Sequence, residues 1–151
     1  MKKSQRLQTI VDLKARQENK DRFALAEEQE KRRQKEAQLN NLISYREDYL
    51  KKNEKLLKSG ISVMQLMEFR AFIEKIEKAI AGEEAGLLAI DNELGRLKKA
   101  WEEAHHQTHN MQKIQTNAQI IERKQSEKKE QLEMDDQSAM RMAGKNGMDS
   151  A

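Results

Sequence analysis

Between Leu66 and Trp101 an apolar residue returns every seven places, at Leu66, Ile73, Ile80, Leu87, Leu94 and Trp101. Phe69, Ile76, Ile90 and Leu97 stand three places after members of that series. These are the a and d positions of a coiled coil, and Glu83 alone interrupts the d series. A helix with so narrow an apolar stripe is not stable alone in water, because its stability comes from burying the stripe rather than from backbone propensity. The stretch must therefore lie against another helix.

The partner is predicted upstream. A first helix over about 4–58 carries Val11, Leu25 and Leu39 at a, and Leu7, Leu42, Tyr49 and Leu56 at d. The same register passes through Lys14, Glu18, Asp21, Glu28, Arg32 and Lys35. This predicts a weakly zipped middle and a firm zip near the end, where Ile43, Leu50 and Leu57 at e widen the stripe. Gly60 after Ser59 supplies a left-handed helix cap, and Ser62-Val-Met-Gln65 has the Ser-x-x-Gln form of a capping box. A turn confined to 59–62 sends the second helix back antiparallel along the first.

The expected fold class is all-α, a long antiparallel two-helix coiled coil, or α-helical hairpin, forming one domain over 1–142. The second helix, over about 63–142, is longer than the first, so about 120–142 is expected to overhang without a partner. Residues 143–151 read as a disordered tail. Past Trp101 the seam is expected to pass Ala104, Thr108 and Met111, then shift to Ile114, Ala118 and Ile121 by a step of three where four was due, a stammer. Gly82, Gly86 and Gly95 each weaken the second helix by about 1 kcal/mol relative to alanine, so that interval is expected to bend or fray.

Composition narrows the function. With 36% charged and 4% aromatic residues and a mean hydropathy of -1.01, the chain has too little apolar material for a thick core, and no proline interrupts long helices. There is no cysteine, hence no disulfide, thiolate metal site or cysteine nucleophile. No apolar run approaches a membrane span, and the Met-Lys-Lys start leads into Ser-Gln-Arg rather than a signal-peptide core, which predicts a cytoplasmic setting. The first 22 residues hold seven Lys or Arg against three Asp or Glu, a local positive field suited to an acidic partner. His105 and His109 have the i, i+4 spacing of a metal pair but lack the glutamate and third ligand of a zinc motif, so they read as a solvated polar face. Glu83 reads as a polar register device. No phosphate loop, nucleophile motif or carboxylate dyad is present, and no catalytic residue, metal or cofactor is assigned.

Gln38 and Tyr45 on the first helix, with Phe72 and Ala79 on the second, all fall at g, and in an antiparallel pair g faces g. They are expected to share a ridge over Tyr49 and Ile76. Two readings stand: aromatics that merely cover the seam, or exposed anchors of a protein-binding patch. Trp101 reads as a seam knob.

The run Gln38-Leu-Asn-Asn-Leu42-Ile-Ser-Tyr45-Arg-Glu-Asp-Tyr49, the Gly60-Ile-Ser turn, Phe72-Ile-Glu-Lys-Ile76-Glu-Lys-Ala79-Ile80, Trp101-x-x-Ala104 and the closing Glu127-Lys-Lys-Glu-Gln131 to Ala139 segment resemble the flagellar type III export protein FliJ family. Asp136 stands where that family usually has glutamate. The resemblance covers nearly the whole chain. It implies a hairpin similar to the coiled-coil part of the rotary ATPase gamma subunit, acting without enzymatic activity in the flagellar export apparatus. Implied partners are the export ATPase, whose hexamer and activity it would promote, the export-gate membrane protein FlhA, and export chaperones. The implied location is cytoplasmic, peripheral at the inner membrane through the gate. The family's gate-contact patch maps onto Gln38, Leu42, Tyr45, Tyr49, Phe72, Ile76 and Ala79, with its histidine replaced here by Glu83. For the ATPase contact the unequal tips are the expectation, with Arg6, Lys14, Arg16, Ile121 and Leu132. The stalk of a virulence type III secretion system is the nearest alternative. A nucleic-acid-binding arm is disfavoured, because glutamates interleave with the basic residues over Glu27–Glu36.

Overall fold

Good helix formers without proline propagate a helix until something supplies an alternative to the next i→i−4 bond. Among the described residues the interruption comes once. A computed structural model describes the backbone of residues 2–149 and the side chains of residues 2–145, and within it α1 spans Lys3–Ser59 and α2 spans Val63–Asp149. Gly60 takes a positive φ of 92°, the left-handed conformation that ends α1. Two residues on, the Ser62 hydroxyl accepts from the Gln65 amide at 3.2 Å, while the Gln65 side-chain oxygen accepts from the Ser62 amide at 3.1 Å. This reciprocal box satisfies two otherwise orphaned donors and fixes where α2 begins. The two helices pack against each other as an all-α hairpin.

The chain divides into two compact units. One is Glu18–Glu103, which contains the turn; the other comprises Met1–Gln17 and Ala104–Ala151. In the turn-bearing unit every a and d position from Leu66 to Trp101 is buried or half-buried, as is every facing seam position from Glu18 to Tyr49. Leu39, Ile76 and Ile80 form the buried core, with Leu42, Ile43, Phe72 and Leu87 packed on it. Among the described residues no large side chain is fully buried, as expected where each helix covers a single stripe.

Where α1 runs short of apolar residues, ion pairs join the helices. Arg32 Nε lies 2.5 Å from Asp91, and Lys35 Nζ lies 3.1 Å from Glu83. The carboxylate that interrupts the heptad is thus answered by a lysine at the facing d position, which penalises any slip of register. Gly86 makes room for that lysine: a Cβ there would stand 2.7 Å from Lys35 Cε. Helix α2 runs without interruption through Gly82, Gly86 and Gly95.

The open-ended unit departs from the sequence expectation in its seam. Ile114 and Ile121 were the expected knobs after a stammer, yet they are 47% and 55% exposed. The seven-residue phase instead continues unbroken through Thr108, Gln115 and Glu122, of which Thr108 and Gln115 are buried. The reason is that each polar seam residue has a partner. Gln115 is hydrogen-bonded to Gln8, the Thr108 hydroxyl donates to the Ala104 carbonyl at 3.0 Å, and Glu122 receives both the hydroxyl and the amide of Ser4 at 2.6 Å and 3.1 Å. Satisfied polar groups remove the penalty that a phase shift would have relieved, so the shift and its overwinding are not needed.

Two further expectations change. Leu56, assigned to d, is exposed because the two stripes part towards the turn, where it lines an open groove with Ile61, Gln65 and Phe69. The tail expected to be disordered over 143–151 is helical as far as Asp149, and its last two residues lie outside the described residues. Gly144 and Gly147 raise the cost of helix there by about 1 kcal/mol each, but nothing in the segment offers its amides another partner.

Gly82 and Gly95 have open space where a Cβ would go. Gly82→Ala and Gly95→Ala are each expected to raise stability by up to about 1 kcal/mol in urea unfolding. Gly86→Ala should gain less than either, because its methyl displaces Lys35 from Glu83.

Candidate protein-docking surfaces

The ridge predicted at g positions is built on the core. Tyr49, half-buried in the seam, lies with its ring centroid 4.3 Å from Phe72 and stacks on Phe69 at 5.5 Å. Tyr45 leans edge-on against Phe72 at 6.2 Å and remains 54% exposed. The seven residues of the expected gate patch therefore separate by role. Ile76 is buried, and Leu42 and Phe72 pack against the same core. Gln38, Tyr45 and Ala79 face solvent on the surface. Phe69 was read only as a seam knob, but it props Tyr49 and so supports the cluster from below; its d position hid that part.

Towards the turn the two stripes part. Tyr49, Leu56, Leu57, Ile61 and Phe69 line an open groove of about 200 Å³. Val63, Met64 and Met67 on the first turns of α2 are largely exposed beside it. No seven-residue pattern marks Val63, Met64 or Met67, which is why periodicity passed over them.

The five residues expected to meet an ATPase lie in the open-ended unit. Arg6 and Arg16 are exposed, while Lys14 is half-buried with its ammonium 3.1 Å from the Gln107 side-chain oxygen. Ile121 and Leu132 are exposed on α2. They do not form one patch: Leu132 lies roughly 16 Å further along the helix axis than Ile121 at ~1.5 Å per residue. Among the described residues, hydrogen bonds between the helices end at Ser4–Glu122, and every residue from Arg123 to Lys145 is exposed. Leu132, Met134, Met140 and Met142 are the large apolar side chains of that stretch.

The Ser4–Glu122 contact is also the marked electrostatic feature of this unit. The Ser4 hydroxyl, and after it the Ser4 amide, hold the Glu122 carboxyl below the ordinary glutamate range. His105, His106 and His109 are exposed, and among the described residues no group of three His, Cys, Asp or Glu gathers to hold a metal ion. Nor is any helix of the described residues long and apolar enough to cross a membrane.

An all-α helical hairpin with a narrow, partly polar seam is the class that this architecture defines. The profile of one protein family, described as flagellar FliJ protein, matches residues 2–147, and the chain belongs to the FliJ family of non-enzymatic flagellar export components. No curated protein and no solved structure matches the chain.

A depressed carboxyl pKa in the folded state means that the Ser4–Glu122 tether is at full strength above the ordinary glutamate pKa. It is lost as pH falls through the lowered folded value. In an NMR titration, Ser4→Ala should move the Glu122 pKa back up towards the ordinary range, and the first turn of α1 should exchange its amides faster. A Glu122 titration indifferent to the substitution would contradict the assignment.

Proposed function

We propose that this chain is the stalk partner of the flagellar export ATPase, using its open-ended unit for the ATPase and the Tyr45–Phe72 ridge for an FlhA-like export gate. The observation that carries the reading is that α2 continues past its last tether to α1, leaving Arg123 to Lys145 uncovered. A helix in this condition has an apolar and a charged inventory but no intramolecular partner, so an external surface is what covers it. One helix outrunning the other also makes the unit asymmetric, and an asymmetric element set on a ring of equal subunits contacts them unequally. Unequal contact is a means of biasing assembly or nucleotide state.

Support for the ridge is of a different kind. Tyr45 offers a large, rigid, exposed surface with a polar tip, held in place by Phe72, which Tyr49 braces in turn, and this is the composition of an interface anchor. Gln38 and Ala79 would form its rim. Met134, Met140 and Met142 add adaptable apolar contacts that suit export chaperones of varied shape. With the family's setting, the reading implies a peripheral position at the inner-membrane export apparatus.

The test is ATP hydrolysis by the cognate export ATPase with sub-stoichiometric amounts of this chain. The full chain should activate, and a chain ending after Lys124, which keeps the Ser4–Glu122 tether, should fold but not activate. Full activation by the shortened chain would refute the role given to the uncovered stretch. For the ridge, Tyr45→Ala is the informative variant, because an exposed residue alters stability by only about 0.5 kcal/mol, whereas Ile76→Ala removes a core side chain at roughly 2–5 kcal/mol. Tyr45→Ala should weaken gate binding with the unfolding midpoint unchanged.

A further inference from the structure

The last two turns of α1 and the first two turns of α2 carry side chains that neither the seam nor the ridge uses. Val63, Met64 and Met67 are 75%, 72% and 66% exposed, and Leu56 and Leu57 end α1 beside them. These are flexible aliphatic and thioether groups without a polar tip, unlike the rigid aromatics of the ridge. They suit a deformable apolar medium better than a shaped pocket.

Basic residues stand among them and behind them. Lys51, Lys52, Lys55 and Lys58 are all exposed, with Lys58 paired to Glu54 at 3.2 Å. Over residues 50–70 five cations stand against two carboxylates, a net +3 that equals the net charge of the entire chain. At ~1.5 Å per residue the apolar groups lie roughly 4–10 Å from Gly60 along the helices; Lys55 and Lys58 share that span, and Lys51 and Lys52 follow at roughly 12–14 Å. An anionic bilayer presents the matching order. Acyl chains accept apolar side chains to a depth of about 5–10 Å, and a layer of phosphates above them attracts each nearby lysine.

We propose that the turn end of this unit dips into the surface of an anionic lipid bilayer, with Leu57, Val63, Met64 and Met67 at the acyl boundary and Lys51, Lys52 and Lys55 on lipid phosphates. The contact is peripheral, since no helix of the described residues is long and apolar enough to span. A second copy of the chain fits the surface poorly, because one net +3 tip would meet another. The inference does not depend on which export protein the ridge engages.

Flotation of the full chain with phosphatidylcholine vesicles, with and without phosphatidylglycerol, tests it. The chain should float with the phosphatidylglycerol vesicles and stay behind with phosphatidylcholine alone, and raised salt should release it. Replacing Lys51, Lys52 or Lys55 with Gln should weaken binding roughly fivefold per lysine. The double variant Val63→Ser, Met64→Gln should abolish binding at unchanged helicity by circular dichroism, while Leu88→Ser, an exposed apolar change away from the turn, should have no effect. Failure to float with phosphatidylglycerol vesicles, or flotation that survives the double variant, overturns the proposal. So does a result in which vesicles capture nothing and the same double variant abolishes self-association or binding to the gate protein's isolated cytoplasmic domain, for then the tip serves a protein.

Discussion

Each helix of this chain has one apolar stripe, and covering that stripe with the other helix is what makes either helix form in water. Everything else follows from how little that stripe contains. With Leu39, Ile76 and Ile80 as its buried centre, the seam offers only a thin apolar contact and must be completed by polar pairs. Arg32 with Asp91, Lys35 with Glu83, Gln8 with Gln115 and Ser4 with Glu122 continue it. These pairs add modest stability and a strong preference for one register, since a slip would leave each of them facing an apolar or unpaired position.

The same scarcity explains what the surface shows. A thin seam cannot hide every large apolar side chain, so several of those off the phase of seven remain exposed. In the turn-bearing unit that leaves Tyr45 propped on Phe72, with Met64 and Met67 beside the turn; in the open-ended unit it leaves Ile114 and Ile121, while Leu132, in phase with Ala118, is exposed because α1 does not cover it. Function in such a protein is a matter of which uncovered groups are held rigidly. Tyr45 is held edge-on by Phe72, which is itself braced by Tyr49, whereas the apolar groups past Glu122 stand on a single helix.

Much of the fold class was legible because a period of seven sustained from Leu66 to Trp101 admits few other structures. The capping chemistry at Gly60 and Ser62–Gln65 is local, involving residues three apart, and needs no knowledge of the partner helix. The failures have a common cause. Choosing Ile114 and Ile121 over Gln115 and Glu122 ranked side chains by hydrophobicity one helix at a time, while the outcome depended on Gln8 and Ser4 across the seam. Leu56 was placed in a zip, but the two stripes part there into an open groove. Of the candidate surfaces, the ridge was visible as a shared g edge; the division between supporting residues such as Ile76 and available ones such as Tyr45 needed burial, which sequence phase does not give.

The central claim is that the fold leaves α2 uncovered beyond Glu122 for an external partner. Amide hydrogen exchange of the full chain, alone and with the cognate export ATPase, measures that directly. The account predicts fast exchange over residues 123–145 in the free chain and protection gained there on adding the ATPase, with the Leu66 to Trp101 seam unchanged. Protection of that stretch in the free chain, or an ATPase footprint confined to the turn-bearing unit, would contradict it.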